Sequence, residues 1–231
     1  MLDCRAFQDL GYSIVPGVYS SAACDALTVD LAVTAAQIAD RRGGARLLIS
    51  HIPALQAAAT GSSLMDLASA LLGASCFAVR AIYFDKTADA NWRVAWHQYL
   101  TISVKRQQHA PGFGPWSEKN GVVHVQPPSS VLECMVAIRL HLDECGEMNG
   151  PLRVIPGSHT AGRLSASDVG AWRVHGPEVR CTARRGDVLM MRPLLLHASS
   201  SATTPGHRRV LHIEYASRDL PCELEWFERC A

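Results

Sequence analysis

The chain has 231 residues, 48% of them apolar and 19% charged, with a formal net charge of +1. That length supports one well-cored domain with a helical flank, and the composition is that of an ordinary globular protein. Scattered Lys and Arg give no electrostatic case for nucleic acid or an anionic membrane, and no apolar run reaches the roughly eighteen residues of a spanning helix.

Met1-Leu2-Asp3-Cys4-Arg5 carries an early acid and leads into no apolar core, so no signal peptide is expected. The eight cysteines are widely spread and form no Cys-x-x-Cys. Reduced thiols in a cytoplasmic protein are the simplest expectation.

Residues 2–10 predict a short helix, and Gly11–Val18 a strand stopped by Pro16-Gly17. Ser20 or Ser21 can cap a helix from Ala22 to about Ile38, with Asp25 in its first turn and Arg41-Arg42-Gly43-Gly44 as its stop. Helices over 52–59 and 62–72 follow, the second capped by a serine and ended by Gly73. Residues 1–73 therefore read as a helical flank without chemistry.

From Ser75 the texture changes to strands: Phe77–Asp85, Val94–Val104, Leu132–Leu142, Pro151–Ile155, Val179–Ala183, Val188–Met191 and Arg208–Ala216. Two long connections, His109–Pro128 with Phe113, Trp116 and His124, and Ser158–Gly176 with Trp172, are expected to run as loops over the scaffold. No repeat or linker divides the chain, so 1–231 reads as one domain with a β core over about 75–216.

Ten histidines are present, and most need no special role. His97 lies in the strand 94–104, where Tyr99 two positions on shares its face. His197 ends the apolar run Pro193-Leu194-Leu195-Leu196 at the polar Ser199-Ser200-Ser201, and Arg208 opens a strand eleven residues later. A histidine with a neighbouring arginine can serve a metal and the carboxylate of an anionic cosubstrate, for which arginine's fork is better suited than lysine. The intact His141-Leu142-Asp143 is a rival, because with His197 it forms a two-histidine, one-carboxylate set suited to non-haem Fe(II). The residues alone leave both pairs open. No phosphate loop, Gly-x-Ser-x-Gly elbow or paired-carboxylate signature is present.

The ordered segments Trp96-His97-Gln98, Asn149-Gly150-Pro151-Leu152-Arg153-Val154-Ile155-Pro156-Gly157-Ser158-His159, Arg185-Gly186-Asp187-Val188, Leu196-His197-Ala198-Ser199 and Arg208-Arg209 resemble the phytanoyl-CoA dioxygenase family of Fe(II)- and 2-oxoglutarate-dependent oxygenases. The resemblance runs from about Gly11 to Tyr215. It implies a mainly β fold with flanking helices around a double-stranded β-helix (jelly-roll, cupin-like) core. It also implies Fe(II) and 2-oxoglutarate as cofactors and a small-molecule substrate, leaving a homo-oligomer or partner subunit open. His97 and His197 match the family's histidine ligands, Arg208 the arginine that pairs with 2-oxoglutarate, and Ser199 an assisting hydroxyl. His141-Leu142-Asp143 then falls on another strand, and Asn149–His159 reads as a structural hairpin. Lys86, Trp116, His124 and Arg139, with Phe113, are the residues expected to shape the substrate pocket. Arg209 is expected to point away from it and to tolerate substitution.

The departure is Tyr99, where the family pattern His-x-Asp has its carboxylate. A neutral phenol, with an ordinary pKa of about 10, is a poor replacement for an anionic ligand, although a bound metal can lower that value. Halogenases of this broad fold also lack the carboxylate, but there a small residue leaves room for a halide, and Tyr99 fills that room. Three consequences stay open: a binder without turnover, altered chemistry at a two-histidine or phenolate-supported site, or a replacement in a working oxygenase scaffold.

Overall fold

A computed structural model describes residues 2–38, 44–47, 49–204 and 206–231, so positions 41–43 of the expected helix stop lie outside the described residues. The chain opens with α1 (Cys4–Leu10), capped by the Asp3 carboxylate accepting from Ala6 N at 2.9 Å, and leads into β1 (Tyr12–Val15). Next comes α2 (Ser21–Ile38), whose first turn is capped by Ser20 Oγ accepting from Ala23 N, then a short β2 (Ala45–Leu47). Two helices follow, α3 (Pro53–Thr60) and α4 (Ser62–Leu72). The expected serine cap of α4 is absent: Gly61 holds that position with no side-chain bond, while Gly73 closes the helix in the left-handed region as expected.

The β region begins with β3 (Phe77–Lys86), β4 (Val94–His97) and β5 (Ile102–Val104). A hairpin of β6 (Trp116–Lys119) and β7 (Val122–Val125) leads through the short α5 (Ser129–Glu133) into β8 (Met135–His141) and β9 (Leu152–Val154). After α6 (Ala166–His175) come β10 (Val179–Cys181), β11 (Val188–Met191), β12 (His197–Ser199) and β13 (Arg208–Ala216). The large sheet has the order β1-β11-β8-β13-β3-β2, the small sheet β10-β9-β12-β4, and β5-β7-β6 forms a third. The two main sheets give the double-stranded β-helix sandwich that the resemblance implies. The first 73 residues do more than flank this core, because β1 and β2 form both edges of the large sheet.

Strand alternation divides the large sheet into two environments. On β8 and β13, Val136, Ile138, Leu140, Leu211, Ile213 and Tyr215 face the helices and join Phe7, Leu31, Leu55 and Leu64 in one buried cluster. Tyr215 Oη donates to Ala59 O at 2.9 Å and ties α3 to the sheet. The intervening residues, Ala137, Arg139 and His141 on β8 and Arg208, Val210, His212 and Glu214 on β13, face the other way, into the sandwich.

Three expectations are corrected. The single strand 94–104 breaks after His97, because β4 pairs with β12 while β5 leaves to pair with β7. Gln98 bridges the gap: its Nε2 donates to Leu194 O at 2.6 Å and Gly162 O at 2.8 Å, and its Oε1 accepts from Leu164 N at 2.8 Å. Both expected loops carry structure. The first holds the β6–β7 hairpin, and the second holds α6, with a capping box between Ser165 and Asp168.

Arg209 does point out of the sandwich, yet it is not idle. Its backbone N, Nε and Nη2 donate to Asp143 at 2.8, 2.7 and 2.6 Å, locking the carboxylate of the rival His-x-Asp pair to the outer side. Burial works to raise the Asp143 pKa, and the bonds and charge of Arg209 outweigh it, leaving a net lowering. The folded-state pKa is therefore below the unfolded value of about 4, so the stabilisation is present above that value and fades as pH falls through the folded one. Asp143→Asn is expected to lower stability by about 1.5–3 kcal/mol at pH 7, with the gap to the wild type shrinking toward pH 3. Urea unfolding at both pH values measures it, and an equal gap at the two would contradict the assignment.

Candidate active site

A cavity of about 300 Å3 lies between the two main sheets, lined by Ile82, Phe84, Trp92, Val94, His97, Tyr99, Arg139, Leu152, His197, Ser199 and Arg208, among others. His97 and His197 are cross-strand partners on β4 and β12, and their ring centroids stand 4.2 Å apart. Each ring is oriented in the same way: Nδ1 of His97 meets Ala95 O at 2.9 Å, and Nδ1 of His197 meets Leu195 O at 2.7 Å. A carbonyl can only accept, so both Nδ1 atoms carry the proton and both Nε2 atoms are left as acceptors. His197 Nε2 is buried with no hydrogen-bond partner. Burial lowers the pKa of both histidines, well below the ordinary value for His197, where His97 adds to the effect. Both are neutral at pH 7, the form in which imidazole binds metal.

Tyr99 reaches the same cavity, its ring centroid 4.4 Å from that of His197 and 5.5 Å from that of His97. Strand parity does not place it there, since β4 has already ended; the backbone is held instead by Tyr99 N donating to Pro193 O at 2.9 Å. Burial raises the phenol's pKa, with the nearby Arg139 charge only partly opposing it. Two neutral imidazoles thus fit a divalent ion well. The third donor does not complete a facial set, because the phenol stays protonated and no carboxylate lines the cavity among the described residues. His141 and Asp143 do not supply one: Asp143 is held by Arg209, and His141 is buried with neither ring nitrogen partnered, its pKa pushed down to about 3 by burial and by Arg139 and Arg208.

Arg208 stands at the start of β13 with only 4% exposure, and Nη1 donates to Gly150 O. The Asn149-Gly150-Pro151 turn is structural and also serves this contact. Gly150 has φ +63°, and a Cβ there would lie 2.3 Å from Ser200 O, so the turn can close on β12 only with glycine. Lys86 does not line the cavity. It lies behind it, with Nζ donating to Ser199 Oγ at 3.5 Å and to Ser200 O, while burial and the Arg208 charge push its pKa down to about 7.

Trp116 and His124 also lie elsewhere. They sit in the β6–β7 hairpin, where His124 bonds Ser103 Oγ at 3.2 Å and Val122 O at 2.9 Å, and Trp116 and Phe113 pack on a separate apolar cluster. Arg139 does line the cavity. Sequence reasoning missed Arg80, His212 and Glu214, a chain in which the buried His212 and Glu214 and the half-buried Arg80 stand behind Arg139. His212 Nδ1 accepts from Arg139 Nη1 at 3.3 Å, its Nε2 donates to Glu214 at 3.2 Å, and Glu214 pairs with Arg80. Burial works to raise the Glu214 carboxyl, and Arg80 and His212 outweigh it, holding it down to about 2. For His212 and Glu214 the signal was available: they alternate with the apolar Leu211, Ile213 and Tyr215 in the strand Arg208–Ala216.

Residues 7–210 match the sequence profile of the phytanoyl-CoA dioxygenase family. Peroxisomal phytanoyl-CoA dioxygenase of Mus musculus is 30% identical across 41% of this chain, and that of Homo sapiens 29% identical across 40%. The matched part spans only 31% and 30% of those relatives' own length. Among solved structures, the non-haem α-ketoglutarate-dependent carbocyclase SnoK from nogalamycin biosynthesis superposes with a TM-score of 0.73 at 17% identity, covering 94% of this chain and 83% of its own. HygX from Streptomyces hygroscopicus, solved with nickel and 2-oxoglutarate bound, gives 0.65 at 17% identity, covering 96% and 92%. At these identities the structural likeness establishes the fold. With its profile match over most of its length, the chain belongs to the phytanoyl-CoA dioxygenase family, which works with Fe(II) and 2-oxoglutarate.

Proposed function

We propose that the protein is an Fe(II)/2-oxoglutarate-dependent oxygenase that oxidises a small organic molecule, by hydroxylation or a related C–H oxidation, at a site where Tyr99 replaces the usual carboxylate. The observation that carries this reading is the convergence of His97 and His197, the latter with its Nε2 buried and unpartnered, on a cavity that Arg208 and Ser199 also line. His97 and His197 would hold the metal, which would supply oxygen activation coupled to decarboxylation of 2-oxoglutarate, and the carbonyls of Ala95 and Leu195 keep their rings in the ligating tautomer. Arg208 binds the far carboxylate of 2-oxoglutarate in a site with little water to screen the pair, and Ser199 Oγ assists. Ile82, Phe84, Trp92 and Leu152 form the apolar wall against which a carbon skeleton packs. A reducing, cytoplasmic setting belongs to the same proposal, since all eight cysteines are free. No helix among the described residues is long and apolar enough to cross a membrane.

A second reading, a binding or partner-stabilising subunit without turnover, is favoured by one observation: the phenol of Tyr99 stays protonated where the family places an anion. The two readings diverge in metal affinity. The protein as written is expected to hold Fe(II) weakly, and Tyr99→Asp to bind it more tightly and to raise succinate release from 2-oxoglutarate. Anaerobic Fe(II) titration of both proteins, followed by exposure to air and succinate assay, makes the comparison. Tight binding and turnover by the tyrosine form, with an inactive aspartate form, would make Tyr99 a working group and remove the second reading.

Arg208→Ala is expected to weaken 2-oxoglutarate binding by about 1.5–3 kcal/mol, the loss typical of a hydrogen bond to a charged group. Calorimetric titration measures it, and an unchanged affinity would move the cosubstrate site elsewhere.

A further inference from the structure

We propose that Arg139 anchors a carboxylate on the substrate, so that the molecule oxidised is a small organic acid. This inference rests on the oxygenase reading for the word substrate, and on the following geometry for the site. Arg139 lines the cavity at 5% exposure, and a guanidinium stays charged when it is buried. Its partners are all neutral. Nη1 donates to His212 Nδ1 at 3.3 Å and to Tyr99 Oη at 3.5 Å, the guanidinium lies 5.2 Å from the Phe84 ring centroid, and Nε is buried with no partner.

Several other arginines of the fold have anions, whereas Arg208, the proposed 2-oxoglutarate anchor, meets the Gly150 carbonyl. Arg80 takes Glu214, Arg209 takes Asp143, Arg153 takes Glu178 and Arg185 takes Asp25. No carboxylate of the described residues forms an ion pair with Arg139. Glu214, which reaches it through His212, already faces Arg80. His212 accepts from Arg139 because its other nitrogen donates to Glu214, so the pair orients the guanidinium without neutralising it. The result is a fixed, buried cation on the wall of a cavity.

The proposed placement of 2-oxoglutarate leaves this need to a second molecule. On β13, Arg139 pairs in register with His212, four residues from Arg208, which is about 13 Å along the strand. With 2-oxoglutarate placed by Arg208 at one end and the histidines at the other, its two carboxylates are accounted for. The missing anion then comes from a second molecule. A carboxylate suits the planar fork of arginine, and Phe84 and Trp92 on the same wall suit an apolar or aromatic skeleton behind it.

The test is calorimetric titration of the purified protein with acetate, phenylacetate and benzoate, with benzamide as the neutral isostere of benzoate, each with and without saturating 2-oxoglutarate. At least one aromatic acid is expected to bind where benzamide does not. Arg139→Gln is expected to weaken that acid at least tenfold while leaving 2-oxoglutarate affinity within twofold. Arg208→Gln is expected to do the reverse. If Arg139→Gln does not fold, Arg139→Lys keeps the charge and is expected to retain part of the binding, and thermal shift of the wild type by benzoate but not benzamide gives the same comparison. Failure of every acid to bind the wild type, equal binding of benzamide and benzoate, unchanged acid binding in Arg139→Gln, or displacement of the acid by 2-oxoglutarate would each overturn the proposal. Acid binding at Arg139 without any 2-oxoglutarate binding would count against the oxygenase reading and leave the carboxylate site standing.

Discussion

Strand β13 has to serve two environments at once, and much of the molecule follows from how it does so. Its odd-numbered residues Leu211, Ile213 and Tyr215 are buried against α3, α4 and their neighbours, while Arg208, His212 and Glu214 enter the sandwich between them. Taking charged groups out of water is costly unless each finds a partner. Glu214 is answered by Arg80 directly across on β3, and His212 by Arg139 directly across on β8. The cross-strand register therefore decides which charges cancel inside the sandwich and which are left facing the cavity.

What is left over is cationic. Arg208 meets a backbone carbonyl and Arg139 two neutral groups, each keeping a buried Nε without a partner, while the histidines and Tyr99 beside them are uncharged at neutral pH. An interior of this kind is suited to anions more than to a bare divalent ion. That makes Tyr99 the most consequential residue of the site. A carboxylate there would offset both a metal and Arg139, whereas the phenol offsets neither and fills the space between His197 and His212.

The flanking helices were legible in the residues themselves, whereas the jelly-roll class and the grouping of His97, His197, Ser199 and Arg208, which line one cavity, came from the resemblance of the ordered motifs. Helix caps, strand composition and the ordered motifs are local signals, and they survive folding because they report backbone preferences within short segments. The rival His141-Leu142-Asp143 could not be dismissed in that way. Only the Arg209 side chain, closing on Asp143 from the next strand, shows that its two members part company.

The sequence by itself determined that helices give way to strands near Phe77, and that a phenol stands where the family pattern has a carboxylate. Tertiary structure alone decided the neighbours. It broke the strand after His97 and still delivered Tyr99 to the cavity, through bonds to the 193–194 segment. It sent Trp116 and His124 into a separate sheet and put Lys86 behind Ser199. It also left Arg139 without an anion. The physical reason is the same in each case: alternation along a strand sets which face a side chain takes, but its partner comes from another strand, and that register is fixed only when the sheets close.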